Sequence, residues 1–527
     1  MKRITLLLSL CILVLYGCGE SVRITALQTE YQTNPLGIDV GEPRFSWQME
    51  SDEYGAAQTA YRVVVAKDMS LLEKGEYVFD TDKTVSDVSI GIVYDGAPLE
   101  AATRYFWKVM VWNEKCEMYE SDPEWFETGL MEQGWSDAQW IGSSQPFFSK
   151  YRSHYNIDYD LQIENGSKSG VFVFGYQDDD NYVKAELNVA GDKPVFTISH
   201  ITDGSRVEDF SANLPFIGKD KINETHHISL KVWALDYALG YRIKVTIDNT
   251  SLNKDWIVAR PYPQGVWKPY CRFNQIGFAQ PDGDNALFSN IKVTEDVWKT
   301  TLYTNNTEFR EKGTGKINLF SPADESGAPM LRKSIDIAGS LKSARLYTTA
   351  RGIYEYFING QRVGNDYFNP GSTDYRYRIM YNTYDITDLL IDGDNVIGAQ
   401  LGSGWWSDFT GFATAWQDQF GLNLSLLAKI ILTYENGEKE IIVSDGSWKV
   451  YDRGPILSNS MQNGEDYDAR RDVKDWSTNK YDDSQWTGVT IFDAPADSVE
   501  IQYYIGTPIQ NNIILKAQSV TEPEEGV

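Results

Sequence analysis

The sequence predicts an all-β protein built of β-sandwiches in series. Many periodic segments are short and rich in β-branched and aromatic residues, as strands are. Asn359-Gly360 and Asn436-Gly437 stand between alternating apolar positions and predict hairpins. No apolar stripe with helical spacing runs beyond about three turns. The clearest predicted strands are residues 61–66, 105–112, 171–176, 228–233, 243–247 and 430–434.

Length and composition narrow the classes of function. The chain has 527 residues, with 48 Lys and Arg against 75 Asp and Glu, and a net charge of −27. The length suggests about three or four domains. An acidic surface repels phosphate backbones and anionic lipid headgroups, so we expect no nucleic-acid partner and no electrostatic membrane docking.

Residues 1–18 have the features of an export signal. Two basic residues precede an apolar run over residues 4–16, which is too short to span a bilayer. Residues 15–18 resemble a bacterial lipobox, which predicts lipidation at Cys18. We therefore expect an exported protein, lipid-anchored to a bacterial membrane in the periplasm or at the cell surface. A plain secretory signal that is cleaved nearby is the alternative. The two other cysteines outside this signal, Cys116 and Cys271, are expected to be buried free thiols.

Residues 21–130 contain seven short predicted strands. Within them, residues 99–109 resemble the tyrosine corner of fibronectin type III sandwiches, which gives Tyr105 a structural role. This segment is therefore predicted to be a fibronectin type III-like sandwich.

Residues 131–299 carry a second pattern. Residues 175–182, 276–278 and 288–293 resemble the concanavalin-like jelly rolls appended to secreted polysaccharide enzymes. Three adjacent aspartates in this segment are candidates for a calcium site, the one cofactor that the sequence suggests, because hard cations take oxygen ligands from acidic loops. The alternative is a solvated turn between two strands. These aspartates are Asp178, Asp179 and Asp180. The following residues, 300–327, are poor in apolar side chains and predict a linker.

Residues 328–497 carry the most specific motifs. They stand, in order, at residues 352–364, 370–376, 384–390, 402–406, 464–470 and 482–486. This ordered series closely resembles the N-terminal β-sandwich of bacterial α-L-rhamnosidases. Upstream, residues 31–39 and 43–47 resemble the leader sandwich of the same family. The resemblance covers residues 24–527, with the jelly roll as an insertion.

The resemblance implies hydrolysis of terminal α-L-rhamnose from plant glycans with inversion. In the family, an α/α barrel supplies one carboxylic acid that protonates the leaving oxygen and a carboxylate that activates water. That barrel lies C-terminal to the segments matched here, and residues 498–527 resemble the truncated start of the family's next β-domain. We therefore expect no catalytic residue in this chain and no activity from it alone. Rhamnose-containing glycans and the missing C-terminal catalytic domain are the expected partners.

Sugar binding is the role left to this chain. Exposed aromatic rings stack on sugar rings, while carboxylates and arginines hydrogen-bond the hydroxyls. Some related β-domains resemble calcium-dependent rhamnose-binding modules, for which Asp374 or Glu465 is suited. The alternative is that the tryptophans pack between sheets and that Asp374 forms a turn salt bridge with Arg376. The carbohydrate-binding candidates are Asp374, Arg376, Trp405, Trp406, Glu465, Asp468 and Arg470.

Three hypotheses for function follow. The leading one is the non-catalytic, carbohydrate-associated N-terminal portion of an exported α-L-rhamnosidase. The second is a surface lipoprotein that binds carbohydrate without catalysis. The third is an enzyme whose site lies in the jelly roll, at His200 or at the adjacent His226 and His227. Because neighbouring residues of a strand point to opposite faces, those two histidines cannot converge on one metal without a bulge.

Overall fold

The structure is a computed structural model of the chain. Strands make up 52% and helices 4% of it, which confirms the all-β class. The predicted signal peptide and Cys18 lie outside the described residues. The structure describes residues 22–144, 154–234, 240–261, 271, 275–296, 301–320, 327–408, 419–461 and 464–519.

The first compact unit, which ends at Ser136, is a sandwich of two sheets. One sheet has the strand order β1-β3-β7 and the other β2-β10-β8-β4-β5, with β6 beside β4 and β9 beside β8. The strands are β1 (Val22–Thr29), β2 (Leu36–Ile38), β3 (Arg44–Ser51), β4 (Gln58–Ala66), β5 (Phe79–Asp80), β6 (Thr84–Val85), β7 (Ile92–Val93), β8 (Arg104–Asn113), β9 (Met118–Glu120) and β10 (Glu124–Thr128), and the helix between β4 and β5 is α1 (Met69–Lys74).

The core of this unit is aromatic. Trp47, Trp107 and Tyr105 are fully buried. The hydroxyl of Tyr105 accepts a hydrogen bond from the Glu100 N–H at 2.8 Å. This is the tyrosine corner that the sequence predicts, and it ties the start of β8 to the chain upstream.

The second compact unit, residues 137–527, contains the jelly roll. Its two sheets have the orders β19-β18-β17-β12-β22-β23 and β16-β15-β14-β13-β21-β25, with β20 beside β18 and β24 beside β22. Their inner faces bury one continuous apolar core. The strands are β12 (His154–Ile163), β13 (Ser169–Asp178), β14 (Asn181–Asn188), β15 (Val195–Thr202), β16 (Ser205–Asn213), β17 (Thr225–Ala234), β18 (Tyr241–Ile247), β19 (Thr250–Ser251), β20 (Ile257–Ala259), β21 (Gln275–Phe278), β22 (Asn285–Glu295), β23 (Thr301–Asn305), β24 (Phe309–Lys312) and β25 (Asn318–Phe320). They follow β11 (Trp140–Gly142) in the chain.

The predicted linker at 300–327 differs from the structure. Residues 301–320 contain β23, β24 and β25, which pair with β22 and β21 of the jelly roll. These are peripheral strands, and the residues of β24 alternate between half-buried and exposed. Such strands are stabilised by backbone pairing and need few apolar side chains, which is why composition alone suggests a linker.

A third sandwich fills most of the rest of the second unit. Its sheets have the orders β39-β11-β33-β27-β31-β40, with β34 beside β33, and β29-β28-β32-β26-β35-β38. Two further pairs, β30 with β41 and β36 with β37, form short two-stranded sheets. The strands are β26 (Met330–Ile337), β27 (Leu341–Arg351), β28 (Ile353–Ile358), β29 (Gln361–Arg362), β30 (Asp366–Tyr367), β31 (Arg378–Asp385), β32 (Gly393–Gly402), β33 (Ser425–Tyr434), β34 (Lys439–Val443), β35 (Lys449–Tyr451), β36 (Ile456–Ser460), β37 (Gly464–Tyr467), β38 (Thr487–Gly488), β39 (Thr490–Phe492), β40 (Glu500–Tyr503) and β41 (Ile509–Gln510), and the short helix after β32 is α2 (Gly404–Ser407).

The jelly roll is inserted into this third sandwich. Strand β11 precedes the jelly roll in the chain, yet it lies between β33 and β39. Ser143, just after β11, donates from its hydroxyl to the Asp452 carboxylate at 2.6 Å. Gly327, where the described chain resumes, donates its N–H to the Asp452 carbonyl. The chain therefore leaves the sandwich and returns to it beside the same residue, Asp452. Residues 140–142 belong to the sandwich, whereas the sequence predicts a jelly roll that begins at residue 131.

The C-terminal segment also differs from its prediction. Residues 498–527 were expected to begin another domain. Instead β40 pairs in parallel with β31, and β41 pairs with β30. Strand β40 extends one sheet of the third sandwich at the open edge of β31, whereas β41 forms a separate two-stranded sheet with β30.

The predicted hairpins are confirmed. Asn359 and Gly360, with φ of 51° and 85°, form the two-residue turn between β28 and β29. Gly437, with φ of 86°, lies in the turn between β33 and β34. Both remaining cysteines are free thiols, but the expectation that both are buried is wrong for Cys116, which is exposed; Cys271 is buried.

Candidate functional site

A cleft of about 360 Å³ opens on the third sandwich, beside the outer side of β28 and β32. The hairpin of β36 and β37 forms one wall, and the segment that contains β30 forms another. The lining residues are Ile353, Tyr354, Glu355, Tyr367, Phe368, Gln400, Leu401, Gly402, Gly404, Ile456, Asn459, Ser460, Met461, Gly464 and Glu465.

Close packing at the end of β32 sets the shape of this cleft. A Cβ atom on Gly402 would lie 2.9 Å from the Asn459 amide nitrogen and 3.0 Å from Ile353, so only glycine lets the hairpin approach so closely. The Asn459 amide oxygen accepts a hydrogen bond from the Ser403 N–H at 2.9 Å. The wall is thus fixed to the sheet by one amide side chain.

The lining combines apolar surface with hydrogen-bonding groups. Phe368 and Met461 are 42% and 43% exposed, so both present apolar surface to the cleft. Glu465 is exposed at the opening, and Glu355 forms an ion pair with Arg362 at 3.1 Å. An exposed aromatic ring beside carboxylate and amide acceptors suits the mixed apolar and hydroxylated surface of a sugar ring.

The cleft brings together two of the seven predicted residues. Glu465 lines it directly. Trp405 lies beside it, with its ring centroid 6.3 Å from that of Phe368 in an edge-on contact. Trp406, the next residue, turns away and packs against Tyr375 and Phe420, at centroid distances of 5.4 Å and 6.2 Å. Trp406 therefore fits the packing alternative.

The other four candidates form two local ion pairs. Asp374 and Arg376 are joined by two hydrogen bonds of 2.8 Å and 2.6 Å, and Asp468 and Arg470 by two of 2.8 Å and 2.7 Å. The hydrogen bonds from Arg470 lower the pKa of Asp468 to about 2, and those from Arg376 lower the pKa of Asp374. Each carboxylate is bound by the arginine two residues later. For Asp374 this is the salt bridge within a turn that stands as the alternative to sugar binding.

The three adjacent aspartates lie at the turn from β13 to β14. Asp178 accepts from the Asp180 N–H at 2.9 Å and from the Asn181 amide at 2.8 Å, and Asp179 accepts from the Tyr176 hydroxyl at 2.8 Å. The carboxylates bond to this turn rather than converge. Among the described residues, no group of three or more His, Cys, Asp or Glu side chains is arranged to hold a metal ion. These residues do not fit a calcium site, and the geometry favours the solvated turn.

The three histidines named as candidates for a site in the jelly roll each have a carboxylate partner. His200 Nδ1 lies 2.8 Å from Asp209, His226 Nδ1 lies 2.6 Å from Asp248, and His227 Nδ1 lies 2.7 Å from Asp160. His226 is buried whereas His227 is exposed, as expected for neighbours on a strand. The pair does not converge on one point, so the geometry gives no support to a site built on both histidines.

Sequence reasoning missed most of the cleft. The cleft residues Phe368, Glu355 and the close pair Asn459 and Met461 come from three separate segments, and no local motif joins them. One signal was present in the sequence: Glu355 alternates with buried Tyr354 and Tyr356 on β28, which places it on the outer face.

Comparison with known proteins agrees with this architecture. Residues 24–132 match the family described as Rha78A-like, N-terminal immunoglobulin domain, and residues 339–511 match the alpha-L-rhamnosidase N-terminal domain. An alpha-L-rhamnosidase of Streptomyces avermitilis is 31% identical, over 96% of this chain and 48% of that protein. The chain spans about half the length of this curated relative.

Solved structures give the same result. The crystal structure of Streptomyces avermitilis alpha-L-rhamnosidase complexed with L-rhamnose matches with a TM-score of 0.60 and 26% identity, over 96% of this chain and 48% of that one. The alpha-L-rhamnosidase from Dictyoglumus thermophilum matches with a TM-score of 0.56 and 25% identity, over 96% of this chain and 38% of that one.

These findings define a class first: two of the chain's β-domains match N-terminal domains of a glycoside hydrolase family. More narrowly, it has the domain content of an N-terminal portion of a rhamnosidase, as its motifs suggest. Across the part of the chain that the structure describes, no helix has the length and apolarity needed to cross a membrane.

Proposed function

We propose that this chain is the carbohydrate-associated N-terminal portion of an exported α-L-rhamnosidase, and that the cleft on its third sandwich binds a neutral sugar. The observation that carries the sugar-binding part is the exposed Phe368 ring facing a cavity that also holds Glu465 and Asn459. The cavity volume of about 360 Å³ lies in the range of small-molecule binding pockets.

Binding is tested by calorimetric titration with L-rhamnose and methyl α-L-rhamnoside. We expect the Phe368→Ala variant to lose at least tenfold in affinity, because stacking on the ring supplies the apolar contact. Glu465→Gln, which removes a charged acceptor, is expected to weaken binding several-fold. Glu73→Gln, an exposed change on α1 of the first unit, is the matched control. Equal affinity in all four proteins contradicts the cleft as the site.

Catalysis is tested separately with an aryl α-L-rhamnoside. We expect no turnover from this chain alone, since the family resemblance places both catalytic acids in a barrel outside the segments matched here. Turnover that disappears when one carboxylate of this chain is changed overturns the non-catalytic part of the proposal.

Export and anchoring rest on residues 1–18. Metabolic labelling with a radioactive fatty acid in a bacterial host tests lipidation at Cys18. Label in the unchanged protein that is lost in Cys18→Ser supports a lipoprotein. Export without label in both supports the plain secretory signal.

The second candidate, a surface lipoprotein that binds carbohydrate without catalysis, is favoured by the same cleft. The two candidates differ in whether a catalytic barrel accompanies this chain. The nucleotide sequence that follows Val527 distinguishes them: an α/α barrel in frame or after a frameshift supports the rhamnosidase.

A further inference from the structure

Arg351, the last residue of β27, lies against two tryptophans. Its Cζ atom is 4.5 Å from the ring centroid of Trp140 and 5.5 Å from that of Trp406. Indole rings attract the flat face of a guanidinium and leave its N–H groups at the edge for polar partners. The guanidinium is thus held in position by stacking.

This guanidinium lacks a bound carboxylate. Within the described part of the chain it donates one hydrogen bond, from Nη2 to the carbonyl oxygen of Asp493 at 2.9 Å, and forms no ion pair. Burial lowers the pKa of Arg351 to about 10, because it disfavours the charged form, and the charge of Asp493 offsets only part of this effect. Arg351 is partly buried, and a cation that is partly removed from water without a counter-charge is costly to a fold.

Buried donors without partners occur on the elements next to Arg351. Arg351 Nε, Trp406 Nε1, Ser407 Oγ and Ser425 Oγ are buried and have no hydrogen-bond partner among the described residues. Ser425 is fully buried and Ser407 is 3% exposed. Arg351 and Ser425 are direct cross-strand partners of β27 and β33, so their side chains lie on the same side of the sheet. Trp406 and Ser407 come from α2, whose Trp406 ring contacts Arg351.

The chemistry of these groups selects the ligand. All four atoms can donate a hydrogen bond, and one belongs to a cation. A water molecule can accept from two of them but leaves the charge uncompensated. A carboxylate accepts at about four lone-pair positions, carries the missing charge and is planar like the guanidinium edge.

We propose that Arg351, together with Trp406 and Ser425, binds a carboxylate group. This site is separate from the cleft and does not depend on the proposed function. Its carboxylate has two chemical sources, a sugar acid or the acidic side chain of another polypeptide segment.

The test is the melting temperature of the full chain with added sodium acetate, sodium D-galacturonate or neutral D-galactose, at constant ionic strength with sodium chloride as the balancing salt. Both carboxylates are expected to raise Tm by a few degrees with saturation, since a ligand that binds the folded state stabilises it. Galactose and sodium chloride are expected to leave Tm unchanged. Because the chain carries a charge of −27, nonspecific anion binding is disfavoured.

Two variants and one control test whether the Tm shift with carboxylates arises at the Arg351 site. Arg351→Met keeps the length of the side chain without the charge and is expected to abolish the shift. Ser425→Ala is expected to weaken carboxylate binding several-fold. Arg470→Met is the control, because Arg470 is 90% exposed and bound to Asp468. If Arg351→Met does not fold, Arg351→Lys keeps the charge but lacks Nε, and a weakened shift is expected there.

The two sources give different outcomes. Galacturonate that binds at least tenfold tighter than acetate supports a sugar acid, and equal affinity supports a side-chain carboxylate. A Tm that does not respond to either carboxylate, or a response that Arg351→Met or Arg351→Lys retains in full, overturns the proposal.

Discussion

At the scale of single residues, the partner of a charged side chain decides what it does. Asp374 and Asp468 stand in motifs that suggest sugar contacts, yet each is bound by the arginine two residues later. Glu465 has no such neighbour two residues along and faces the cleft. The sequence lists the candidate residues, but it does not show which carboxylates are already paired.

The ion pair of Glu30 and Arg44 in the first unit gives a prediction for pH. Burial alone would raise the pKa of Glu30, but hydrogen bonds from the Arg44 guanidinium at 3.0 Å and 2.6 Å, and from its N–H at 2.7 Å, lower it overall. A lowered pKa in the folded state means that the pair stabilises fully above the unfolded pKa of about 4.3. This stabilisation is lost as the pH falls through the folded value.

We therefore expect Glu30→Gln to destabilise the first unit by about 1–3 kcal/mol at pH 7 and by progressively less below about pH 4. Urea unfolding of the variant and the unchanged protein, at pH 7 and below about pH 4, measures the difference in their free energies of unfolding. Glu50→Gln is the control, because Glu50 and Arg23 form an exposed pair at 3.8 Å, which contributes less than about 1 kcal/mol. An equal loss for Glu30→Gln at both pH values contradicts this account.

At the scale of elements, strands with strong side-chain patterns were predictable and peripheral strands were not. β8 and β17 alternate buried and less buried residues over most of their length, and the sequence shows it. β25 carries no comparable pattern, because it is held by backbone pairing with β21. Pairing of this kind leaves almost no trace in the side-chain sequence.

Gly277 on β21 tests whether β25 belongs to the jelly roll. A Cβ atom there would lie 2.3 Å from the Asn318 carbonyl oxygen and 3.0 Å from the Leu319 Cα atom, both in β25. Gly277→Ala is expected to push β25 away and destabilise the jelly roll by about 1–3 kcal/mol. Hydrogen exchange of the amides in residues 318–320 is expected to accelerate with it.

Gly191→Ala is the matched control within the jelly roll. A Cβ atom at Gly191 meets nothing closer than the Lys193 carbonyl oxygen at 3.6 Å, which is an ordinary contact. A Tm close to that of the unchanged protein is expected. Normal exchange at residues 318–320 in Gly277→Ala would show that β25 does not pair as described.

At the scale of the whole molecule, the fold class and the family were predictable because both depend on repeated local signals. Strand patterns recur along the chain, and the rhamnosidase motifs follow one another in order. The nesting of domains was harder, because β11 is three residues long and its partners β33 and β39 come after the jelly roll. The cleft was hard for the same reason, since its lining residues come from distant segments.

Because the jelly roll is inserted into the third sandwich, we predict that it can be deleted without unfolding that sandwich. Both ends of the insertion bond to Asp452, so a short Gly-Ser linker in place of residues 145–326 is expected to bridge them. The shortened protein is expected to keep the β-sheet circular dichroism of the third sandwich and to lose the jelly-roll transition in calorimetry.

Removal of residues 137–326 is the comparison, because it also deletes β11. The protein without residues 137–326 is expected to have a lower Tm than the protein in which a linker replaces residues 145–326, since β33 and β39 then lose the strand between them. Equal Tm values for the two shortened proteins would mean that β11 contributes nothing to the sandwich.

The position of β11 also bears on how the protein is made. A ribosome releases β11 long before its partners β33 and β39, and the intervening jelly roll has a core of its own. The jelly roll can therefore fold before β11 has a partner strand. The third sandwich can complete its sheet only after β39 has been synthesised. Early folding of the jelly roll brings the two ends of the insertion together, which shortens the loop that the nascent sandwich has to close.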